Sequence, residues 1–364
     1  MTNARFIISG GGTGGHIYPA IAIALAIKKK LPESEILFVG AEGKMEMEKV
    51  PLAGFNIVGL PIAGIQRKFD WRNFLLPFKI LRSLIRARSV IKKFKPHAAI
   101  GVGGYASGPL LWSAAQMGVT CFIQEQNSFA GLTNKWLSKK ATNIFVAYPN
   151  MDRFFSSEKI ILTGNPIRFE WNENLYDKKS ALEHFGLSMG KPTLLMVGGS
   201  LGARAMNQAM EYYLSDLLEK GYQVIWQTGK HYSPAEKWKD GSNGLWVGSF
   251  INEMHQAYAA ADAIISRAGA MSISELSLVA KPTAFVPSPY VSEDHQTHNA
   301  MALVNDGAAL LIRESEIKEH WMHVIEQLLS ESDDNKKRCS QLALWARPKA
   351  ADEMVSEMFN KLGL

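Results

Sequence analysis

A glycine-rich stretch near the amino terminus is the first place in this sequence where chemistry is expected. Residues 10–19 read GGGTGGHIYP and follow a short apolar run. A glycine turn between a strand and a helix brings backbone N–H groups close to an anion, usually a phosphate. His16 follows at once, and the pKa of an imidazole suits proton transfer near neutral pH. The stretch therefore predicts an anion site with a general base, or with a histidine that orders the loop or donates to a diphosphate.

Two further glycine turns strengthen this interpretation. GGY at residues 103–105 and GGS at residues 198–200 also follow apolar runs. The first turn fits the G-x-G-x-x-G dinucleotide fingerprint. That fingerprint also needs an acid at the end of the second strand, and the nearest acid, Glu42, lies beyond the predicted strand end. The chain contains no GxxxxGK[ST] sequence, which disfavours a nucleoside triphosphatase. Glycine turns at the carboxyl ends of several strands predict one ligand crevice, as in open α/β sheets.

The elements that position these turns alternate between short apolar runs and amphipathic stretches. We predict one series of strands at residues 5–9, 35–39, 98–102, 120–123 and 143–146. A second series is predicted at residues 193–197, 223–227, 245–247, 263–265 and 283–286. Such alternation predicts parallel sheets covered on both faces. The repeated unit of strand, glycine turn and helix predicts two Rossmann-like domains, with a linker at residues 163–171, where Gly and Pro occur.

The composition is that of a soluble protein with two cores. The 364 residues are 47% hydrophobic, and they suffice for two domains of roughly 150 residues each. The first predicted strand leaves no room for a signal peptide, and no apolar run approaches the roughly 18 residues of a spanning helix. Cys121 and Cys339 are too few for a disulfide framework and have no zinc-ligand spacing. We therefore expect a cytoplasmic protein.

The net charge of +6 is concentrated in one segment. Residues 64–95 contain ten Lys or Arg and one acid, Asp70. Aromatic side chains beside cations are typical of a surface that lies in the lipid interface and meets anionic headgroups. We therefore predict membrane contact through Phe69, Trp71, Phe74 and Leu75, while residues 81–94 form a core-facing helix with a solvated basic side. No nucleic-acid recognition pattern accompanies these cations.

Six motifs make the sequence similar to a known family. GGTGGHIYPA, GVGGYASGP, QEQNSFAGLTNKWLSKKAT, GNPIR, GGSLGA and SRAGAMSISE occur in this order across nearly the whole chain. They resemble the MurG family, the peptidoglycan N-acetylglucosaminyltransferases that make lipid II from lipid I. The resemblance implies an α/β, GT-B architecture, with two Rossmann-like doubly wound parallel-sheet domains facing across a cleft. We expect an acceptor and membrane domain at residues 1–163, a UDP-GlcNAc-binding domain at residues 164–345, and a C-terminal helix at residues 346–364 that returns to the first domain.

The resemblance also implies a donor site. Glu275 would accept hydrogen bonds from both ribose hydroxyls, unless it is merely a solvated acid at a helix start. Ile251 would read uracil through its backbone, and Gln296 would bind sugar hydroxyls. Arg168 would contact the donor phosphates, or else form a linker ion pair. The other expected UDP-GlcNAc contacts are Thr13, Gly14, Gly15, Asn127, Ser200, Ala270, Met271, Ser272, Ile273 and Ser274.

No metal and no other cofactor is expected. The chain has no D-x-D triplet, and its histidines and acids show no ligand spacing. Charge on the UDP leaving group would then be offset by helix ends and by side chains such as Arg168.

The family's reaction implies inversion by a single in-line displacement, from an α-linked donor to a β-1,4 product. The MurNAc 4-hydroxyl of lipid I must lose a proton, and His16 is the first candidate for the base. Glu125 and Tyr105 are the other candidates for proton transfer or acceptor positioning. Many relatives read HEQN where this chain reads QEQN, so Gln124 replaces a histidine and a catalytic role at that position is in doubt.

The resemblance implies a peripheral protein on the cytoplasmic face of the bacterial inner membrane, active in cell-wall biogenesis. Its expected partners are UDP-GlcNAc, lipid I and the anionic inner-leaflet surface, with other cell-wall synthesis and division proteins as further candidates and no nucleic acid. The alternatives are another GT-B glycosyltransferase that acts on a lipid acceptor and a UDP-GlcNAc 2-epimerase, which shares the fold but does not explain GGYASGP or the basic aromatic segment. A nucleotide-sugar-binding regulator is disfavoured by His16, Glu125 and Glu275, and an NAD-dependent oxidoreductase by the second glycine turn.

Overall fold

The computed structural model describes residues 4–62, 76–167, 177–239, 241 and 243–364. The chain divides into two compact units. Unit 1 comprises Met1–Phe169 and Arg347–Leu364, and unit 2 comprises Glu170–Ala346.

Unit 1 is built on one parallel sheet of seven strands. The strands are β1 (Arg5–Ser9), β2 (Glu35–Ala41), β3 (Asn56–Leu60), β4 (Ala98–Gly101), β5 (Thr120–Glu125), β6 (Asn143–Val146) and β7 (Ile160–Leu162). Their order is β3-β2-β1-β4-β5-β6-β7. The helices between them are α1 (Gly14–Lys30), α2 (Glu46–Leu52), α3 (Leu76–Phe94), α4 (Ser107–Gln116) and α5 (Leu132–Leu137).

Unit 2 repeats the plan with a six-stranded parallel sheet. Its strands are β8 (Thr193–Val197), β9 (Gln223–Gln227), β10 (Leu245–Gly248), β11 (Ala263–Ser266), β12 (Thr283–Phe285) and β13 (Leu310–Leu311), in the order β10-β9-β8-β11-β12-β13. Its helices are α6 (Lys178–His184), α7 (Arg204–Glu219), α8 (Glu236–Lys239), α9 (Met254–Ala260), α10 (Ala270–Val279), α11 (His295–Asn305), α12 (Ile317–Leu329) and α13 (Asp333–Leu344).

The last helix, α14 (Ala350–Leu362), packs on unit 1 beside α1. Met354, Val355 and Met358 are buried there, and Phe359 stacks on Phe6 of β1 with ring centroids 5.8 Å apart. The apolar face of α14 thus completes one side of the unit 1 sheet.

Both faces of each central strand are covered, which explains the continuous apolar runs in the sequence. In β1, Phe6 and Ile8 belong to the cluster formed with α1 and α14, whereas Ile7 belongs to the cluster on the opposite face. Strands buried on two sides have no polar face, as is usual for parallel sheets. Every predicted strand is present, with ends that differ by up to two residues, and β3, β7 and β13 were not predicted.

Each sheet reverses its strand order at one point. The reversal lies between β1 and β4 in unit 1 and between β8 and β11 in unit 2. Connections from these neighbouring strands leave toward opposite faces, which opens a crevice at their carboxyl ends. The glycine turns after β1, β4 and β8 lie at these two points.

Helix α3 includes residues 81–94, which were expected to form a core-facing helix with a solvated basic side. Its buried residues are Ser83, Ala87 and Ile91, whereas Leu81 and Ile85 are 57% and 61% exposed. The helix contacts the core through Ala87 and Ile91, as expected, and its solvated side carries these two apolar residues as well as cations. No helix within the described ranges has the length and apolarity needed to cross a membrane.

Candidate functional site

Unit 2 contains a pocket at its point of strand reversal. The pocket has a volume of about 520 Å³, and its lining includes Gly198, Gly202, Arg204, Arg267, Gln296 and Glu314. These residues come from the glycine turn after β8 and from segments that follow β11, β12 and β13. Open α/β sheets bind ligands at this position, so the pocket is the candidate ligand site of unit 2.

Arg267 is the most enclosed cation of this pocket among the described residues. Its Nη2 lies 2.6 Å from Glu314 Oε2, and the two side chains are only 12% and 17% exposed. Its Nη1 donates to the carbonyl oxygens of Val286 and Pro287. These contacts hold the guanidinium in a fixed place directly after β11. The sequence interpretation did not select Arg267, although it lies within the SRAGAMSISE motif.

The start of α10 forms a second part of the unit 2 site. The helix begins at Ala270 with Gly269 as its N-cap, and its early residues include Met271, Ser272, Ile273 and Ser274, which were predicted to contact the donor. The N–H groups of a first helical turn have no intrahelical partner and favour an anion. None of these four residues lines the pocket described above. They follow its Arg267 closely in the sequence, but they do not belong to the same cavity.

Glu275 of α10 accepts a hydrogen bond from a buried tyrosine. The hydroxyl of Tyr258 lies 2.9 Å from Glu275 Oε2, and Tyr258 is only 3% exposed. Burial, and then the charge of Glu275, raise the pKa of Tyr258 well above its usual value. The phenol therefore stays protonated and donates to the carboxylate. Tyr258 lies on α9, and no signal in the sequence connected it with Glu275.

Two other predicted donor contacts are already engaged within unit 2. The side chain of Gln296 accepts a hydrogen bond from the backbone N–H of Ser288 at 2.8 Å, which turns its NH₂ group toward other partners. The N–H of Ile251 donates to Gln227 Oε1 at 3.1 Å, so a uracil that reads this N–H must displace the Gln227 amide. Ser200 is exposed in the glycine turn after β8. Arg168 lies outside the described residues.

In unit 1, His16 lies directly under the glycine turn after β1. Its Nδ1 is 3.2 Å from the carbonyl oxygen of Gly11 and 3.4 Å from Thr13 Oγ1. A carbonyl oxygen can only accept, so a hydrogen bond between these two atoms has its proton on Nδ1. In the neutral ring the lone pair then lies on Nε2, the nitrogen that can take a proton.

The glycine turn after β4 packs against the same place. Gly103 has a φ of +100°, and a Cβ added to it would lie 2.6 Å from His16 Cδ2 and 2.8 Å from Nε2. A Cβ at Gly104 would collide with the carbonyl oxygen of Gly11. The two turns therefore interlock only because both lack side chains. Tyr105, which follows them, is 49% exposed, and Thr13, Gly14 and Gly15 form the start of α1.

Glu125, at the end of β5, is 1% exposed. Its Oε1 accepts from the backbone N–H and side-chain amide of Asn127, and its Oε2 accepts from the N–H of Gly131 and the amide of Asn134. A carboxylate offers about four lone-pair sites, and these four N–H groups occupy them. The geometry favours an anchor for the loop that carries Asn127 over a group that takes a proton from a ligand.

A groove on unit 1 combines aromatic and basic side chains. It has a volume of about 490 Å³ and is lined by Trp112, Leu132, Lys135, Trp136, Lys139 and Lys140. Leu132 and Trp136 are 72% and 57% exposed. The guanidinium of Arg88 on α3 lies 5.5 Å from the ring centroid of Trp112. The predicted membrane residues Phe69, Trp71, Phe74 and Leu75 lie outside the described residues.

The part of the chain that the structure describes contains no group of three His, Cys, Asp or Glu side chains arranged to hold a metal ion.

Comparisons with known proteins identify the family. The model of the glycosyltransferase family 28 N-terminal domain matches residues 6–146, and that of the C-terminal domain matches residues 193–354. A protein of Parabacteroides distasonis named UDP-N-acetylglucosamine--N-acetylmuramyl-(pentapeptide) pyrophosphoryl-undecaprenol N-acetylglucosamine transferase is 50% identical, over 98% of both chains. The protein of the same name from Cytophaga hutchinsonii is 51% identical, over 98% of this chain and 96% of its own.

Solved structures agree on the architecture. The crystal structure of MurG from Acinetobacter baumannii is similar with a TM-score of 0.78 and 28% identity, over 98% of this chain and 99% of that one. A UDP-N-acetylglucosamine 2-epimerase gives a TM-score of 0.67 at 15% identity, over 100% and 97% of the two chains, and that likeness concerns the fold alone. The fold is therefore the α/β architecture of two Rossmann-like domains predicted from the sequence. The chain belongs to glycosyltransferase family 28, within the MurG family of N-acetylglucosamine transferases.

Proposed function

We propose that this enzyme transfers GlcNAc from UDP-GlcNAc to the MurNAc 4-hydroxyl of undecaprenyl-pyrophosphoryl-MurNAc-pentapeptide, lipid I, to form lipid II in peptidoglycan synthesis. The observation that carries this proposal is the identity of about 50% over nearly the full length to proteins named for that transfer. Identity at this level over nearly the whole chain supports keeping the same substrates.

The donor is assigned to unit 2. The start of α10 offers N–H groups and a positive helix end to the diphosphate. Glu275 offers carboxylate oxygens to the ribose hydroxyls, and Tyr258 holds one of those oxygens in place. The backbone N–H of Ile251, which donates to Gln227 Oε1 in this structure, is assigned to uracil, which would take the place of the Gln227 amide. Gln296 and Ser200 are assigned to the sugar and the phosphates, with Arg168 and Asn127 as further donor contacts.

The general base is assigned to His16 rather than to Glu125. With the proton on Nδ1, His16 donates to the Gly11 carbonyl oxygen, and Nε2 is then the proposed basic atom. Glu125, by contrast, uses its oxygens to accept four N–H groups. Tyr105, half-exposed after the second glycine turn, is assigned to acceptor positioning.

The proposed reaction is a single displacement. The MurNAc O4 attacks C1 of the α-linked GlcNAc and forms the new C–O bond, while the bond from C1 to the diphosphate oxygen breaks. The hydroxyl proton goes to Nε2 of His16, and UDP leaves with the electron pair. Attack opposite the leaving group inverts C1 and gives the β-1,4 linkage. Negative charge that develops on UDP is stabilised by fixed N–H dipoles and by Arg168.

Contact with the membrane is assigned to one side of unit 1. Phe78, Leu81 and Ile85 recur at helical spacing on α3 and are 68%, 57% and 61% exposed. The groove of Trp112, Leu132 and Trp136 adds apolar surface, and its lysines add positive charge. Such a surface suits an interface with anionic lipids. We propose peripheral attachment at the cytoplasmic face of the inner membrane, with Phe69, Trp71, Phe74 and Leu75 contributing.

Labelled UDP-GlcNAc tests this function directly. The full-length protein is incubated with the donor, labelled in its sugar, and a short-chain lipid I analogue. Label in the lipid product supports the transferase. Label recovered as a free or UDP-linked epimer would identify a 2-epimerase instead, and label that stays in UDP-GlcNAc would identify a binding protein without catalysis. His16→Ala serves as the matched inactive control.

A further inference from the structure

A carboxylate lies fully buried beneath the first glycine turn. Glu46, the first residue of α2, has no exposed surface. Its Oε2 accepts the backbone N–H of Gly12 and its Oε1 accepts that of Ala41, each at 2.9 Å. A Cβ added to Gly11 would collide with this carboxylate. A buried carboxylate is costly unless donors meet both oxygens, so these two N–H groups and Glu46 depend on each other.

The peptide group between Gly11 and Gly12 contacts His16 as well as Glu46. The carbonyl oxygen of Gly11 immediately precedes the N–H of Gly12 in the same peptide group, and it lies 3.2 Å from His16 Nδ1. The peptide between Gly11 and Gly12 is planar, so a hydrogen bond that fixes its N–H also fixes the direction of its C=O. Glu46 and His16 thus contact the two ends of one peptide group.

From this geometry we infer that Glu46 is a positioning residue for the transfer reaction. It holds the Gly11–Gly12 peptide so that the carbonyl keeps the proton on Nδ1 of His16 and presents Nε2 as the proton acceptor. The inference rests on the proposed role of His16 as the base. It assigns a purpose to a buried acid that none of the six sequence motifs contains.

The same contacts revise the expectation for this turn. The turn was predicted to present its N–H groups to a diphosphate, but the N–H of Gly12 is donated to Glu46. The peptide that follows β1 therefore orients the histidine, and any anion contact from this turn falls to the N–H groups at the start of α1.

The test is Glu46→Gln. Glutamine has nearly the same shape but only one acceptor oxygen, so one of the two N–H groups must face an NH₂ group. Glu48→Gln is the matched control, because it makes the same charge change on an exposed position of the same helix. Misplacement of a reacting group by about 1 Å can cost 10²-fold. We expect kcat for Glu46→Gln to fall by about 10- to 100-fold with the KM for UDP-GlcNAc within about twofold of the wild type.

A spectrum separates positioning from a general loss of structure. The side-chain ¹⁵N resonances of His16, assigned with His16→Gln in uniformly ¹⁵N-histidine-labelled protein, report which ring nitrogen carries the proton. We expect the Nδ1–H form in the wild type and in Glu48→Gln, and a mixture of tautomers in Glu46→Gln.

Three results would overturn the inference. An Nε2–H form of His16 in the wild type would overturn it, and this measurement does not depend on the folding of any variant. An unchanged His16 spectrum in Glu46→Gln would do so too, as would a kcat within twofold of the wild type. Glu46→Asp, which keeps the charge but withdraws it by one methylene, gives a second variant with the same expected outcome. A wild type that transfers no GlcNAc would contradict the proposed function while leaving the tautomer result intact.

Discussion

The contact between Tyr258 and Glu275 allows the donor site to be tested without disturbing the fold. Tyr258→Phe removes only the hydroxyl that donates to Glu275 Oε2 at 2.9 Å. Tyr258 is buried, and phenylalanine fills the same space without leaving a cavity. The change therefore acts on the orientation of the carboxylate proposed to bind the ribose.

The magnitudes follow from the hydrogen bonds at stake. Glu275→Gln removes the charge from the bonds to the ribose, which is worth roughly 1.5–3 kcal/mol or about 10- to 150-fold in kcat/KM. It keeps an acceptor for Tyr258, whereas Glu275→Ala would leave the buried hydroxyl without this acceptor and cost about 1–3 kcal/mol of stability. Tyr258→Phe removes one net hydrogen bond of about 1 kcal/mol, so we expect a loss of about fivefold.

Steady-state kinetics with UDP-GlcNAc, and with an analogue that lacks the ribose 2′-hydroxyl, measures both effects. Because Tyr258 acts through Glu275, the double variant should be no worse than Glu275→Gln alone. Both single variants should also discriminate less than the wild type against the deoxy analogue. Tyr212→Phe is the control, since this tyrosine is 76% exposed. The reasoning is refuted if Tyr258→Phe keeps full activity and discrimination, or if the two losses multiply in the double variant.

His16→Ala should lower kcat by about 10²- to 10⁴-fold, with little change in the KM for UDP-GlcNAc and with loss of the acidic limb of the pH profile; a retained limb and a raised acceptor KM would mean that His16 binds diphosphate. Glu125→Gln should lower the melting temperature, because one acceptor oxygen replaces two, yet keep the acidic limb; its disappearance would make Glu125 the base. Activity should survive EDTA, because the chain has no D-x-D triplet and helix ends can stabilise the leaving group; full loss restored by magnesium or manganese would contradict this. Replacing Phe69, Trp71 and Phe74 with Ser should release the protein from anionic liposomes while turnover of a short-chain soluble acceptor persists; unchanged sedimentation would exclude these residues from the membrane surface.

Much of the fold could be predicted because strands that are buried on both faces of a parallel sheet have short apolar runs in the sequence. The runs that became β1, β6, β8 and β9 each have three or four consecutive apolar residues after a polar first residue, and a glycine turn and a helix follow β1 and β8. The strands that were not predicted are short or lie near a sheet edge. β13 has only two residues and β7 only three, too few to show any periodicity.

The site was predicted less completely, since side-chain partners distant in sequence decide it. Glu46 meets a turn 34 positions earlier in the chain, and Tyr258 reaches Glu275 from a different helix. Glu125 stands in a recognised motif, yet its role changes once four N–H groups are found around it. The sequence gives the type of a side chain, but it does not show how many of its acceptor sites are occupied by hydrogen bonds within the protein. The helix at residues 81–94 was predicted to face the core, but its sequence did not show that Leu81 and Ile85 would be exposed.

The two buried acids of unit 1 favour an imidazole as the proposed base. Glu46 and Glu125 both lie near carboxyl ends of the sheet, and both direct their oxygens at N–H groups of the loops they hold. A carboxylate used in this way cannot take a substrate proton without giving up a loop contact. In the proposed mechanism His16 divides the two tasks between its ring nitrogens: Nδ1 contacts the Gly11 carbonyl, and Nε2 is the proposed proton acceptor.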